Sequence, residues 1–127
     1  HFKILFHKNR QIINLQYGNV EDELKNMNDE GYKVYSFKNI DLFNNIDDCI
    51  SALKTLDVFV TVSNTTAHIA AALGIKTILI CPKTSSTYFY WSNINNSTLW
   101  YKNVTIFKVK DSINDTIKEV DKLLKKL

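Results

Sequence analysis

The segment Ser63-Asn64-Thr65-Thr66-Ala67-His68 follows an apolar run, Asp57-Val58-Phe59-Val60-Thr61-Val62, and precedes Ile69-Ala70-Ala71-Ala72-Leu73-Gly74. A β-branched strand therefore runs into hydroxyl and amide side chains that open a small-residue helix, and a glycine stops that helix. This order leaves backbone N–H groups, Ser/Thr donors and a histidine at the positive end of a helix dipole. Such an arrangement can hold a phosphate without a metal. Ser63 is the expected N-cap. Helical side chains lean toward the N-terminus, so His68 is expected to reach back over the first turn and donate to a diphosphate oxygen, neutral or protonated. On spacing alone, the same residues equally fit an ordinary capped helix whose histidine is satisfied by a backbone carbonyl.

The elements that position this segment alternate strand and helix. Ile12-Ile13-Asn14-Leu15 reads as a buried strand ending at Gln16-Tyr17-Gly18. A helix follows, with Asn19 as its expected cap, Glu21, Asp22 and Glu23 in its first turn, and Gly31 closing it. Lys33 to Phe37 is a second strand, and a loop from Asn39 to Asn45 leads to a helix carrying Ile46, Ile50 and Leu53. After the Ser63 helix, Lys76 to Cys81 is a strand stopped by Pro82, and Val104 to Val109 is a fifth. Ser112 is expected to cap a last helix with an apolar stripe of Ile113, Ile117, Val120, Leu124 and Leu127. Continuous apolar strands between amphipathic helices predict a doubly wound, Rossmann-like α/β domain with a parallel sheet of about five strands. Phe2-Lys3-Ile4-Leu5-Phe6 reads as the tail of a helix whose preceding strand is missing. Residues 1–127 are accordingly expected to form one partial domain.

Composition narrows the classes. The 127 residues carry a net charge of +3, and the sixteen basic residues include a single arginine, Arg10. Scattered lysines without arginine forks argue against nucleic-acid recognition. Cys49 and Cys81 have neither CxxC spacing nor matching histidine pairs, so both are expected to be buried free thiols. No run approaches the roughly 18 apolar residues of a membrane span, and no signal peptide is visible, which makes the cytoplasm the expected location. The sequons at Asn64, Asn95, Asn96 and Asn103 are expected by chance in so asparagine-rich a chain.

In doubly wound sheets, ligands sit beyond the carboxyl ends of the strands. Three segments are expected there: Gln16-Tyr17-Gly18, Asp41 to Asn45, and Ser63 to His68. Asn14-Leu15-Gln16-Tyr17-Gly18, Asp41-Leu42-Phe43-Asn44-Asn45-Ile46-Asp47 and Ser63 to Gly74, with Trp100-Tyr101 and Ile106-Phe107 further on, resemble a known family. It is the glycosyltransferase family 9-like, heptosyltransferase-type C-terminal domain found behind tetratricopeptide repeats in bacterial proteins. The resemblance covers roughly residues 12 to 110. It implies the C-terminal half of a GT-B fold, in which that half holds a nucleotide-diphosphate-sugar donor.

The resemblance further implies that Ser63, Asn64, Thr65 and Thr66 cradle the donor diphosphate, with His68 beside it stabilising the leaving group. The loop at Gln16, Tyr17 and Gly18, together with Asp41 and Asn44, would hold ribose and base. Glu21 or Glu23 could take the ribose hydroxyls, although a solvated helix start explains both acids; Asp41 and Asn44 equally suit Asx turns. No metal and no cofactor are expected, because no Asp-x-Asp stands here and the helix terminus would take the leaving charge. The chain departs from the family where Ser63-Asn64-Thr65 replaces Asp-Thr/Ser-Gly, and where Lys102 stands in place of a common proline.

The implied reaction is sugar transfer to an acceptor hydroxyl, with the general base in an N-terminal half outside this chain, so the fragment alone is expected to be inactive. The alternative is a degenerate, non-catalytic ligand- or partner-binding module of the same fold, which the lost carboxylate favours. A flavodoxin-like or receiver-like domain is weaker, because no acidic cluster ends the first strand. The aromatics Tyr88, Phe89, Tyr90 and Trp91 suit either loop anchoring or packing onto a sugar, a base or the other half of an enzyme.

Overall fold

A computed structural model describes residues 1–82, 89–91 and 95–127. The chain divides into two compact units: His1–Leu5 with Leu53–Leu127, and Phe6–Ala52. In chain order the elements are β1 (Ile12–Asn14), α1 (Glu21–Asp29), β2 (Val34–Ser36), α2 (Ile46–Leu53), β3 (Phe59–Val62), α3 (Thr65–Ala72), β4 (Thr77–Cys81), β5 (Val104–Lys108) and α4 (Ile113–Leu124). Short 3-10 turns lie at Phe2–Leu5 and Phe89–Trp91; the first of these occupies the segment expected to be the tail of an α-helix.

In the larger unit β3, β4 and β5 form a parallel sheet with β4 in the centre. Phe59 lies opposite Thr77 and Val62 opposite Ile80, while Thr77 pairs with Val104 and Cys81 with Lys108. Every residue of β4 is buried, as a strand covered on both faces requires. Ala67 and Ala71 of α3 pack into one cluster with Leu79, Cys81, Trp91, Val104 and Ile106. Alanines on the inner face let α3 lie close over the sheet. Helix α4 buries Ile117 and Val120 and packs on β5 and on the Phe2–Leu5 turn. Ser112 caps it, accepting the Asn114 amide at 3.1 Å, whereas Leu127 at the end of its stripe is exposed.

Helix α3 ends as its sequence foretells. Gly74 takes a φ of +79°, a region open to glycine. Its amide donates to the Ala71 carbonyl and that of Ile75 to the Ala70 carbonyl, the paired bonds of a Schellman cap. Asn103, just before β5, donates its carboxamide N–H to the Ala71 and Ile75 carbonyls at 3.1 and 2.6 Å, tying this cap to the sheet.

In the smaller unit β1 and β2 pair in parallel from Ile12–Val34 to Asn14–Ser36, with α1 between them in sequence. The five strands thus pair as two parallel sheets, one of two strands and one of three, where a single sheet was expected. Strands β1 and β2 are three residues long and only partly buried, which limits the ladder each can offer a further strand. Helix α1 starts at Val20 without a side-chain cap, so the Asn19 cap is not formed; its acidic first turn faces the dipole instead. Ile46 is exposed, although its spacing placed it on the apolar face of α2. Cys49 and Cys81 are buried and form no disulfide.

Ile106 has no exposed surface and sits in the cluster beneath α3. Ile106→Ala is expected to lower unfolding free energy by about 2–5 kcal/mol, measured by urea titration.

Candidate functional site

The turn between β3 and α3 is built on Asn64. This residue is extended (φ −159°, ψ 174°), and its Oδ1 accepts the Ala67 amide at 2.8 Å, so Asn64 is the N-cap. The expected cap, Ser63, lies one residue too early. Asparagine caps as well as serine, and the Asn64 amide N–H also donates to Thr61 Oγ1 at 3.2 Å, anchoring the cap to the strand. With Ala67 capped, the amides of Thr65 and Thr66 occupy the first two helical positions, where no intrahelical acceptor exists. Thr65 and Ser63 are exposed and Thr66 is half-buried. The Ser63 hydroxyl accepts the Trp91 indole N–H at 3.0 Å.

His68, on the next turn of the helix, lies in a box of aromatic rings. Its imidazole stacks on Trp91 with centroids 4.4 Å apart and planes 26° off parallel. Tyr90 and Tyr101 meet it edge-on at 4.7 and 5.8 Å. Its Nδ1 is 3.1 Å from the Tyr101 hydroxyl. The partner is therefore a tyrosine 33 residues on, not a backbone carbonyl. Burial among these rings holds the imidazole below its ordinary pKa of 6.5, because the charged form loses hydration there.

The remaining candidate residues belong to the smaller unit. Gly18 takes a φ of +99°. The Gln16 amide donates to Asn14 Oδ1 at 3.2 Å, and the Tyr17 ring meets Phe43 at 5.4 Å, so the loop after β1 touches the Asp41 loop. Asp41 Oδ1 accepts the amides of Phe43 and Asn44, both at 2.9 Å, and its Oδ2 accepts the Asn44 side chain at 3.0 Å. These bonds, the Asn44 amide first, lower the Asp41 pKa. Both residues form the Asx turn that was the alternative to a ribose contact. Glu21 and Glu23 are exposed in the first turn of α1. The structure therefore brings Ser63 to His68 together in one unit, and Gln16 to Gly18 with Asp41 and Asn44 in the other.

Three roles escaped the sequence: Tyr101 as partner of His68, Trp91 as donor to Ser63, and Asn103 as the C-terminal lock of α3. Their signal was limited to polar-tipped aromatics and an asparagine flanking β5. In the aromatic loop, Trp91 is a buried anchor while Phe89 is 71% exposed; Tyr88 lies outside the described residues.

Comparison with known proteins returns a distant likeness. No family model matches the chain, and no solved structure matches it. Protein FlbA of Caulobacter vibrioides is 28% identical over 97 residues, covering 75% of this chain. The chain spans only 15% of the length of FlbA.

Because the folded-state pKa of His68 lies below its unfolded value, the unfolded chain binds the proton first as pH falls. The contribution of His68 to stability is complete above pH 6.5 and is lost as pH drops from there toward the folded pKa. An NMR titration should place its midpoint below 6.5. The native chain should also lose stability relative to a His68→Gln variant between pH 7.5 and 5.

Proposed function

We propose that the chain is the donor-binding half of a metal-independent GT-B glycosyltransferase, similar to the family 9-like, heptosyltransferase-type enzymes. The observation that carries the reading is the β3–α3 turn, where the Thr65 and Thr66 amides lack helical acceptors beside three hydroxyl side chains. It follows the carboxyl end of β3 in a parallel sheet, the end at which α/β folds bind ligands. A departing nucleoside diphosphate gains negative charge in the transition state, and fixed amides and hydroxyls stabilise that charge without reorganising.

Neutral at pH 7, His68 acts in this reading as a hydrogen-bond donor rather than a cation. When the Tyr101 hydroxyl donates to Nδ1, the ring proton sits on Nε2 and is available to an oxyanion. The finer architecture is a Rossmann-like, doubly wound domain. Its partner is an N-terminal half that supplies the general base for the acceptor hydroxyl. The protein works in the cytoplasm without a metal. No helix among the described residues is long and apolar enough to cross a membrane.

A second reading has its own support. The Asn64 carboxamide, the Ser63 hydroxyl and His68 Nδ1 all have partners within the protein. A non-catalytic module of the same fold would keep such a turn for its stability alone.

Calorimetric titration with ADP, GDP and UDP separates the two. The donor reading predicts saturable binding of one nucleotide, weakened about tenfold or more in a Ser63→Ala, Thr65→Ala, Thr66→Ala variant, as loss of hydrogen bonds to a charged ligand requires. Equal affinity in the variant contradicts it. So does multiple turnover of a sugar donor by these 127 residues alone, since the proposed base lies elsewhere.

A further inference from the structure

The amino end of β4 and β5 holds a cavity of about 250 Å³, at the opposite end of the sheet from the β3–α3 turn. Strand alternation explains its floor. Ile78 and Thr105 lie opposite each other across β4 and β5, on the face away from Leu79 and Ile106, which pack in the cluster with α3. The end of α4 adds Leu123 and Leu127 to the lining, the first half-buried and the second exposed. Lys76 and Lys102, which precede β4 and β5, line the same cavity. Among the described residues neither ammonium group has an ion-pair partner, and the Thr105 hydroxyl has no hydrogen-bond partner. No acidic side chain is part of the lining.

The charges do not cancel. Helices α3 and α4 both end at this cavity, through Gly74 and Leu123, and each helix C-terminus carries about half a negative charge. Two lysines against two such ends leave about one positive charge over. Asn103 has already taken up the Ala71 and Ile75 carbonyls at the end of α3, so the ammonium groups are not needed there. At roughly 30 Å³ per water, the cavity has room for on the order of eight non-hydrogen atoms.

We propose that this cavity binds a small amphiphilic carboxylate. Its anionic head sits between Lys76 and Lys102, with the Thr105 hydroxyl as a further donor, and its short hydrocarbon body lies against Ile78, Leu123 and Leu127. A monoanion matches the single excess charge better than a phosphate dianion does, and the apolar floor rewards a hydrocarbon body that a bare ion lacks. The site is independent of the donor reading, since no residue of the β3–α3 turn lines it.

Amide NMR titration of the native chain with hexanoate, hexanol and acetate tests the proposal. Hexanol keeps the hydrocarbon body without the charge, and acetate keeps the charge with little of the body. Hexanoate should give saturable shifts at Gly74, Lys76, Ile78, Lys102 and Thr105, with a Kd in the millimolar range or below. Hexanol and acetate should each bind about tenfold or more weakly. Lys76→Met and Lys102→Met keep the side-chain stem and remove the charge, and each should weaken hexanoate about three- to tenfold. Absence of saturable shifts with hexanoate overturns the proposal. Hexanol binding as tightly as hexanoate does so as well, because the lysines then have no part in it. Equal affinity for acetate means an adventitious ion only, and unchanged hexanoate affinity in both lysine variants is equally fatal. If a variant fails to fold, the comparison of the three ligands on the native chain still decides.

Discussion

Asn64 accepts one hydrogen bond, from the Ala67 amide at 2.8 Å, and where helix α3 begins follows from it. Starting the helix at Thr65 leaves the Thr65 and Thr66 amides at the positive end of the dipole with no acceptor within the helix. It also leaves Ser63 outside the helix, where its hydroxyl meets the indole of Trp91. Had Ser63 been the cap, the helix would begin one residue earlier and that hydroxyl would be turned onto a helical amide. The second hydrogen bond of Asn64, to Thr61, ties the cap to the end of β3. The far end of α3 is equally constrained, by Gly74 and by the side chain of Asn103.

The larger unit was legible in the sequence wherever periodicity and punctuation agreed. The run Phe59–Val62, the alanines of α3, the stop at Gly74, the buried run Thr77–Cys81 and the cap at Ser112 each carry a local signal, and each appears at or within two residues of its expected place. What was not legible depended on contacts distant in sequence. The choice of Asn64 over Ser63 depends on Thr61 and Trp91, and the partner of His68 comes from Tyr101, on the far side of β4 in sequence. No spacing rule connects residues 28 or 33 apart. The division of five strands into two sheets was hidden for a related reason. Short apolar runs such as Ile12–Asn14 announce a strand but not its neighbour.

The site shows two tendencies in competition. Its polar side chains are drawn into internal bonds: Asn64 into the cap, Ser63 with the Trp91 indole, and His68 with Tyr101. A hydroxyl that accepts one bond still has a proton to give, and an imidazole bonded at Nδ1 still has Nε2. The donor reading uses those remaining valences together with the two amides, whereas the degenerate reading leaves them to water. The lowered pKa of His68 fits an uncharged donor in either case.

Residue-resolved amide NMR of the chain with saturating ADP, GDP or UDP addresses this choice most directly. The account predicts that one nucleotide moves the Thr65 and Thr66 amide signals more than any others in the larger unit. Those protons would pass from water to a diphosphate oxygen. Saturable binding that leaves these two amides unmoved would contradict it, and so would the absence of any response to all three nucleotides.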